Sequence, residues 1–148
     1  MRAWSSVPGC SLRVVNGGAV DMCVGSGLNT IVFNNCDGRF SSSFGGGVLA
    51  LGGFAYGPDD IVVNNVHFIS IRYGFISVNP FGVDYASDHC IVQEILTHEM
   101  GHSLGLHHSW QPSFGDRPAP TEAEATMYFV AHFDGRCASL KQDRKSVV

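Results

Sequence analysis

Apolar and polar positions alternate in short runs over the first two thirds of the chain, and the period lengthens in the last third. Ser11-Leu12-Arg13-Val14-Val15 alternates after the Pro8-Gly9 turn signal and predicts a short strand. Asn29-Thr30-Ile31-Val32-Phe33 predicts a second, closed by Asn34, Asn35 and Asp37. Residues 37–47 are rich in Ser and Gly and predict a surface loop. Val48 to Tyr56 is apolar with Gly52 and Gly53 inside it, and predicts a strand with a weak point or bulge. Ile61-Val62-Val63 is too short to assign. His67 to Val78 alternates in part and predicts one bent strand or a hairpin around Gly74, ended by Asn79-Pro80-Phe81-Gly82. There is no internal repeat.

A helix follows. Ser87 or Asp88 can cap it by accepting from its first free amides. No proline interrupts His89 to Leu104, and Ile91 and Ile95 are spaced for one face. Gly105 stands where the helix would end, because glycine enters the left-handed conformation without a Cβ clash. Pro112, Pro118 and Pro120 then predict irregular chain between Trp110 and Thr121. A last apolar stretch, Ala125 to Phe133, leads to Asp134-Gly135 and a short polar tail.

Composition narrows the function classes. The 148 residues hold 9 basic and 13 acidic side chains, a net charge of -4, so the chain is not built to wrap nucleic acid. At 45% hydrophobic it is not a disordered tail. No apolar run approaches the roughly 20 residues that span a bilayer, since Gly52, Gly53 and Gly57 break the best candidate. Cys10, Cys23, Cys36, Cys90 and Cys137 are scattered singly, without a Cys-x-x-Cys pair. Scattered cysteines suggest an oxidising compartment, and buried free thiols are the alternative. An odd count leaves at least one that stays free, pairs between chains or has lost its partner.

The helix carries His98-Glu99-Met100-Gly101-His102, then Ser103-Leu104-Gly105-Leu106-His107-His108. His98 and His102 are four apart and project from one face. Two imidazoles there can bind one metal at roughly 2.0–2.1 Å. Glu99 points slightly off that face, toward a water on the metal. Gly105 lets the backbone turn so that His108 returns as third ligand, with His107, one residue off the spacing, as the rival. Three neutral imidazoles leave a fourth position open, the mark of a catalytic site. A nitrogen-only set suits zinc best. This string at fixed offsets arises by chance in on the order of one in 100,000 chains of this length, so it is read as a site and not as a solvated helix face.

The string His-Glu-x-x-His-x-x-Gly-x-x-His resembles the signature of the metzincin metalloproteases. Ala125-Thr126-Met127-Tyr128 looks like their Met-turn, which gives Met127 a place beneath the metal without binding it. Ser109 after the third histidine, with Met127-Tyr128 in the turn, is most similar to the matrixins. Phe129 stands where astacins and serralysins carry an extra tyrosine ligand. Trp4 to Gly9 looks like the exit of the first matrixin helix. Gly47-Val48-Leu49-Ala50 resembles the strand bordering the substrate cleft, and Leu140 with Asp143 resembles the start of the final helix. Matrixins often hold a second zinc and calcium ions before the active site. His67, His89 and His132 do not reproduce that zinc pattern and are read as surface or core histidines, and Ca2+ has no supporting motif.

The resemblance implies an α+β fold, with a twisted mixed sheet packed on the active-site helix and a small irregular lower subdomain after His108. It implies one zinc on His98, His102 and His108, with Glu99 as general base in peptide-bond hydrolysis. Gly105, Ser109 and Tyr128 would shape the site. The protein or peptide substrate would lie along the edge from Val48, Leu49 and Ala50 to Tyr56. Residues between Ser109 and Thr126 would wall the pocket for the side chain after the cut. A non-catalytic zinc-binding adhesion module is the alternative, and a metal-dependent amidase of another class is a third. The expected setting is a secreted monomer. Met1 to Ser6 shows no signal segment, and the first strand, most of the first helix and the last helix have no counterpart. The expectation is therefore a catalytic domain over 1–142, cut at both ends, with a non-native tail at 143–148.

Overall fold

Asn64 and Asn65 create the largest feature of the fold. Both sit at positive φ, 51° and 61°, the pair of conformations that a two-residue type I′ hairpin turn requires. Asparagine tolerates that region better than other non-glycine residues. In a computed structural model of the chain, which describes residues 2–8, 11–21, 23, 27–41, 47–82, 88–112 and 115–140, this turn joins two long strands. The elements are α1 (Arg2–Ser5), β1 (Thr30–Val32), β2 (Ala50–Val63), β3 (Val66–Val78), α2 (His89–Ser103) and α3 (Pro120–Ala123). The sheet order is β1-β3-β2, with β1 parallel and β2 antiparallel to β3. The architecture is α+β with a mixed sheet.

Several expectations change. The hairpin turns at Asn64-Asn65 and not around Gly74, which lies inside β3 opposite Phe54. A Cβ on Gly74 would come within 2.8 Å of the Ser103 Cβ, so this glycine lets the end of α2 rest on the sheet. The register breaks between Ala55 and Asp60, around Gly57-Pro58, and not at Gly52 and Gly53. Proline cannot donate to a ladder, which places the irregularity there. Ser11 to Val15 forms no strand, and Val48 and Leu49 precede β2 instead of opening it. A single helical turn, α3, occupies part of the segment expected to be irregular.

The core lies between the sheet and α2. Ala50, Ile76, Val78 and Ile95 are its buried centre, and Ile31, Leu49, Ile91, Leu96 and Met100 pack around them. Asp88, of the two candidate caps, accepts from the Cys90 and Ile91 amides, while Ser87 lies outside the described residues. At the other end Gly105 has φ +91°. Its N–H donates to His102 O, and the Leu106 N–H donates to Gly101 O. These paired bonds end the helix in a Schellman motif and turn the chain back on itself.

Disulfides join Cys23 to Cys36 and Cys90 to Cys137. This replaces the free-thiol alternative for four of the five cysteines, and such bonds persist in oxidising environments. Cys10 lies outside the described residues, as do Met1, the centre of the Ser/Gly loop, Asp143 and the tail from 143 to 148. Leu140 is in irregular chain. No helix of the described residues is long and apolar enough to cross a membrane.

The tightest contact between layers is at Gly52. A Cβ there would lie 2.3 Å from Glu99 O and 2.8 Å from Glu99 Oε2. Gly52→Ala should therefore destabilise the protein by about 1–3 kcal/mol, the usual range for overpacking. Gly47→Ala, with nothing within 4 Å of its Cβ, should change stability by less than about 0.5 kcal/mol. Urea unfolding of both variants beside the wild type checks the contrast.

Candidate metal centre

The 3.6-residue helical repeat places His98 and His102 on one side of α2, and the turn at Gly105 carries the chain back to them. His98, His102 and His108 offer one nitrogen each, all within 4.8 Å of one another. They are the single group of this kind among the described residues. His107, the rival third ligand, is exposed and outside it.

Each ring is aimed by its other nitrogen. His98 Nδ1 lies 2.8 Å from Thr126 O, and His102 Nδ1 lies 2.8 Å from Leu106 O. His108 Nδ1 lies 3.0 Å from Gln111 Oε1. An oxygen there calls for a proton on Nδ1, which leaves a lone pair on Nε2. Two such Nε2 atoms, those of His102 and His108, face each other at 3.2 Å. Two lone pairs at that distance repel unless a cation lies between them. Nitrogens sharing one ion tetrahedrally at roughly 2.0–2.1 Å would stand about 3.3 Å apart. The donor set therefore fits a metal ion, with orienting partners beyond the ligands as such sites require.

Burial disfavours the charged form of the two helix histidines. Desolvation is the largest influence on His98, whose pKa falls to about 3; the bond to Thr126 raises it only in part. Desolvation also lowers His102. Glu99 is buried beside them, and desolvation pushes its carboxyl up to about 7, against the lowering effect of the Gly52 amide that donates to it.

Met127 packs against α2 at Gly101. It is buried, and a Cβ on Gly101 would fall 2.2 Å from its sulfur and 2.9 Å from its methyl carbon. The methionine thus occupies the space that the absent side chain of residue 101 leaves. Ser109 ties the two halves of the site together. Its N–H donates to Met127 O at 2.8 Å and its hydroxyl to Glu122 O at 3.0 Å. Tyr128 is half-buried and its ring lies 6.2 Å from that of Trp110.

A cavity of about 610 Å³ opens over the histidines. Residues 47–52, including Val48, Leu49 and Ala50, line one side. The opposite wall is Phe129 to Phe133; of the described residues from Ser109 to Thr126 only Thr126 lines the cavity. Ser109 and Glu122 in that segment are buried and bonded to each other, which ties its two ends together.

Some contributors carry no motif. Asn79 is fully buried, its amide donates to Val48 O, and its backbone N–H donates to Leu49 O, which fixes the rim of the cavity. Gly101, a glycine inside a helix, and Gly52, a glycine inside a strand, were the visible signals of close approach. Among the other histidines, His67 and His89 are exposed, and His132 pairs with Glu94. No family model, curated protein or solved structure matches the chain.

Two measurements follow. Gly→Ala inside a helix ordinarily stabilises by about 1 kcal/mol. Gly101→Ala should instead lower the unfolding free energy by about 1–3 kcal/mol, because the new Cβ would overlap the sulfur of Met127, which is itself buried. The second concerns pH in metal-free protein. Between pH 6.5 and 3 the unfolded chain takes up protons that folded His98 refuses, so its contribution is lost as pH falls. Between pH 4.5 and 7 folded Glu99 keeps a proton that the unfolded chain releases, so its contribution is lost as pH rises. Glu99→Gln removes that opposing effect. Its stability relative to the wild type should rise with pH across this window, by on the order of 3 kcal/mol, in parallel urea titrations.

Proposed function

We propose that the protein is a secreted zinc-dependent metalloendopeptidase of metzincin type, nearest the matrixins, acting on protein or peptide substrates. The observation that carries this reading is the placement of a buried carboxyl, Glu99, beside three imidazoles with converging free nitrogens on the floor of an open cleft. A structural site needs no such carboxyl, and a three-histidine set leaves room for water.

His98, His102 and His108 would hold the ion. Bound zinc supplies Lewis acidity, polarising the scissile carbonyl and bringing the pKa of its water toward about 7. Glu99 takes the proton of the attacking water and passes it to the leaving amine. A carboxyl with a pKa near neutrality suits both halves of that transfer. The Gly52 amide donates to Glu99 and holds it against β2. The substrate lies extended along the edge formed by Val48 to Gly52, adding a strand by backbone bonds. Among the described residues β2 pairs only with β3, so the strand would add along its other edge. The two disulfides support an extracellular setting.

Glu99→Gln should retain one zinc per chain and lose at least about a thousandfold in cleavage of a denatured protein substrate, an upper-range general-base effect. His108→Ala should lose the metal as well. Metal content and gel-based proteolysis of the zinc-loaded proteins read both. Full activity of Glu99→Gln would sink the mechanism. Stoichiometric zinc with no cleavage by the wild type would leave the non-catalytic binding module.

A further inference from the structure

Glu94 sits on α2 one turn before His98, and the chemistry above makes no use of it. It is buried, with 6% of its surface exposed. A buried carboxylate is costly without donors. Glu94 finds three, all from one short segment across the cleft. Its Oε1 accepts from the His132 backbone N–H at 2.6 Å and faces His132 Nδ1 at 3.1 Å; its Oε2 accepts from the Phe133 N–H at 3.3 Å. His132 extends the chain of contacts, since its Nε2 lies 2.7 Å from Ala123 O at the end of α3.

The segment it gathers is a strained one. Phe133 has φ +55°, a left-handed conformation that a bulky residue rarely adopts. Such backbone persists where its surroundings over-determine it. The amide of this residue is one of the three donors. Residues 129–133 form the cavity wall opposite 47–52, and Glu94 lines the cavity between them. On the other side Gly52 already fixes β2 against α2. The same helix therefore sets both sides of the cleft, one through Gly52 and the other through Glu94.

We propose that Glu94 is a positioning residue that, through His132 and Phe133, sets the width of the cleft beside the three histidines and so the size of substrate side chain accepted next to the scissile bond. The proposal rests on the peptidase reading for its substrate half and on the hydrogen bonds alone for its structural half. Glutamine at 94 keeps one acceptor for the two His132 donors and turns an amide NH2 toward Phe133. Alanine keeps none.

The test combines amide hydrogen exchange with cleavage of two peptide series, each varying only the side chain on one side of the scissile bond. Zinc-loaded wild type, Glu94→Gln and Glu94→Ala are compared. In Glu94→Ala the amides of 132 and 133 should exchange roughly tenfold to a hundredfold faster, as lost bonds to a charged acceptor imply, while those of 99–103 stay protected. The same variant should raise KM for the preferred side chain and flatten the size preference in one of the two series, with kcat for the smallest side chain retained. Glu94→Gln should recover part of both effects, and it carries the test if the alanine variant fails to fold. Unchanged exchange at 132 and 133, or an equal rise along all of α2, would overturn the positioning role. A loosened wall with an unaltered size preference in both series would overturn the specificity role. A wild type that cleaves no peptide removes the peptidase reading and the specificity role with it, while the exchange result still decides the rest.

Discussion

The site depends on where three imidazole protons go. Nδ1 of His98, His102 and His108 each faces an oxygen, supplied by Thr126, Leu106 and Gln111. Those bonds decide the tautomer, and the tautomer decides that the inward-facing nitrogens carry lone pairs. Every acceptor belongs to a different piece of chain. Leu106 is placed by the helix terminus at Gly105, Thr126 by the turn that buries Met127, and Gln111 by the loop that Ser109 anchors. Misplacing any of these turns a ring, so the irregular chain after the helix is as much part of the histidine cluster as the helix itself.

Glycines supply the closeness this arrangement needs. At Gly52 the strand touches the helix backbone, at Gly74 the helix end touches the sheet, and at Gly101 the methionine sulfur touches the helix. Each position forgoes a Cβ so that two elements meet at backbone distance. The loss of side-chain burial is made up elsewhere, by the apolar contacts of Ile76, Val78 and Ile95. The resulting cleft has a floor of polar, titratable groups and sides that are mostly apolar.

The clustering of His98, His102 and His108 was legible from the chain because helical geometry is rigid: residues four apart must share a face, and a glycine after the last turn must let the backbone reverse. The cap at Asp88 and the short strand at Thr30–Val32 were legible for the same local reasons. The hairpin was not, because two asparagines at positive φ look like ordinary loop residues until both strands are seen to pair. Nor was the cavity wall. Its position follows from the reach of Glu94 to residues nearly forty positions away, which leaves no periodic trace.

The Cys90–Cys137 bond has a further consequence. It closes a covalent ring that begins at the first turn of α2 and ends just after the wall segment. His98, His102, His108, Glu99, Met127 and the wall at 129–133 all lie inside that ring, while residues 47–52 lie outside it. A single break in the backbone anywhere within it would leave both fragments tethered, at the high effective concentration that a linked pair enjoys. The loop past Trp110 is exposed at Gly115, Asp116 and Arg117. A nick there would divide the sequence between His108 and Met127 without setting the two halves of the centre free to diffuse apart.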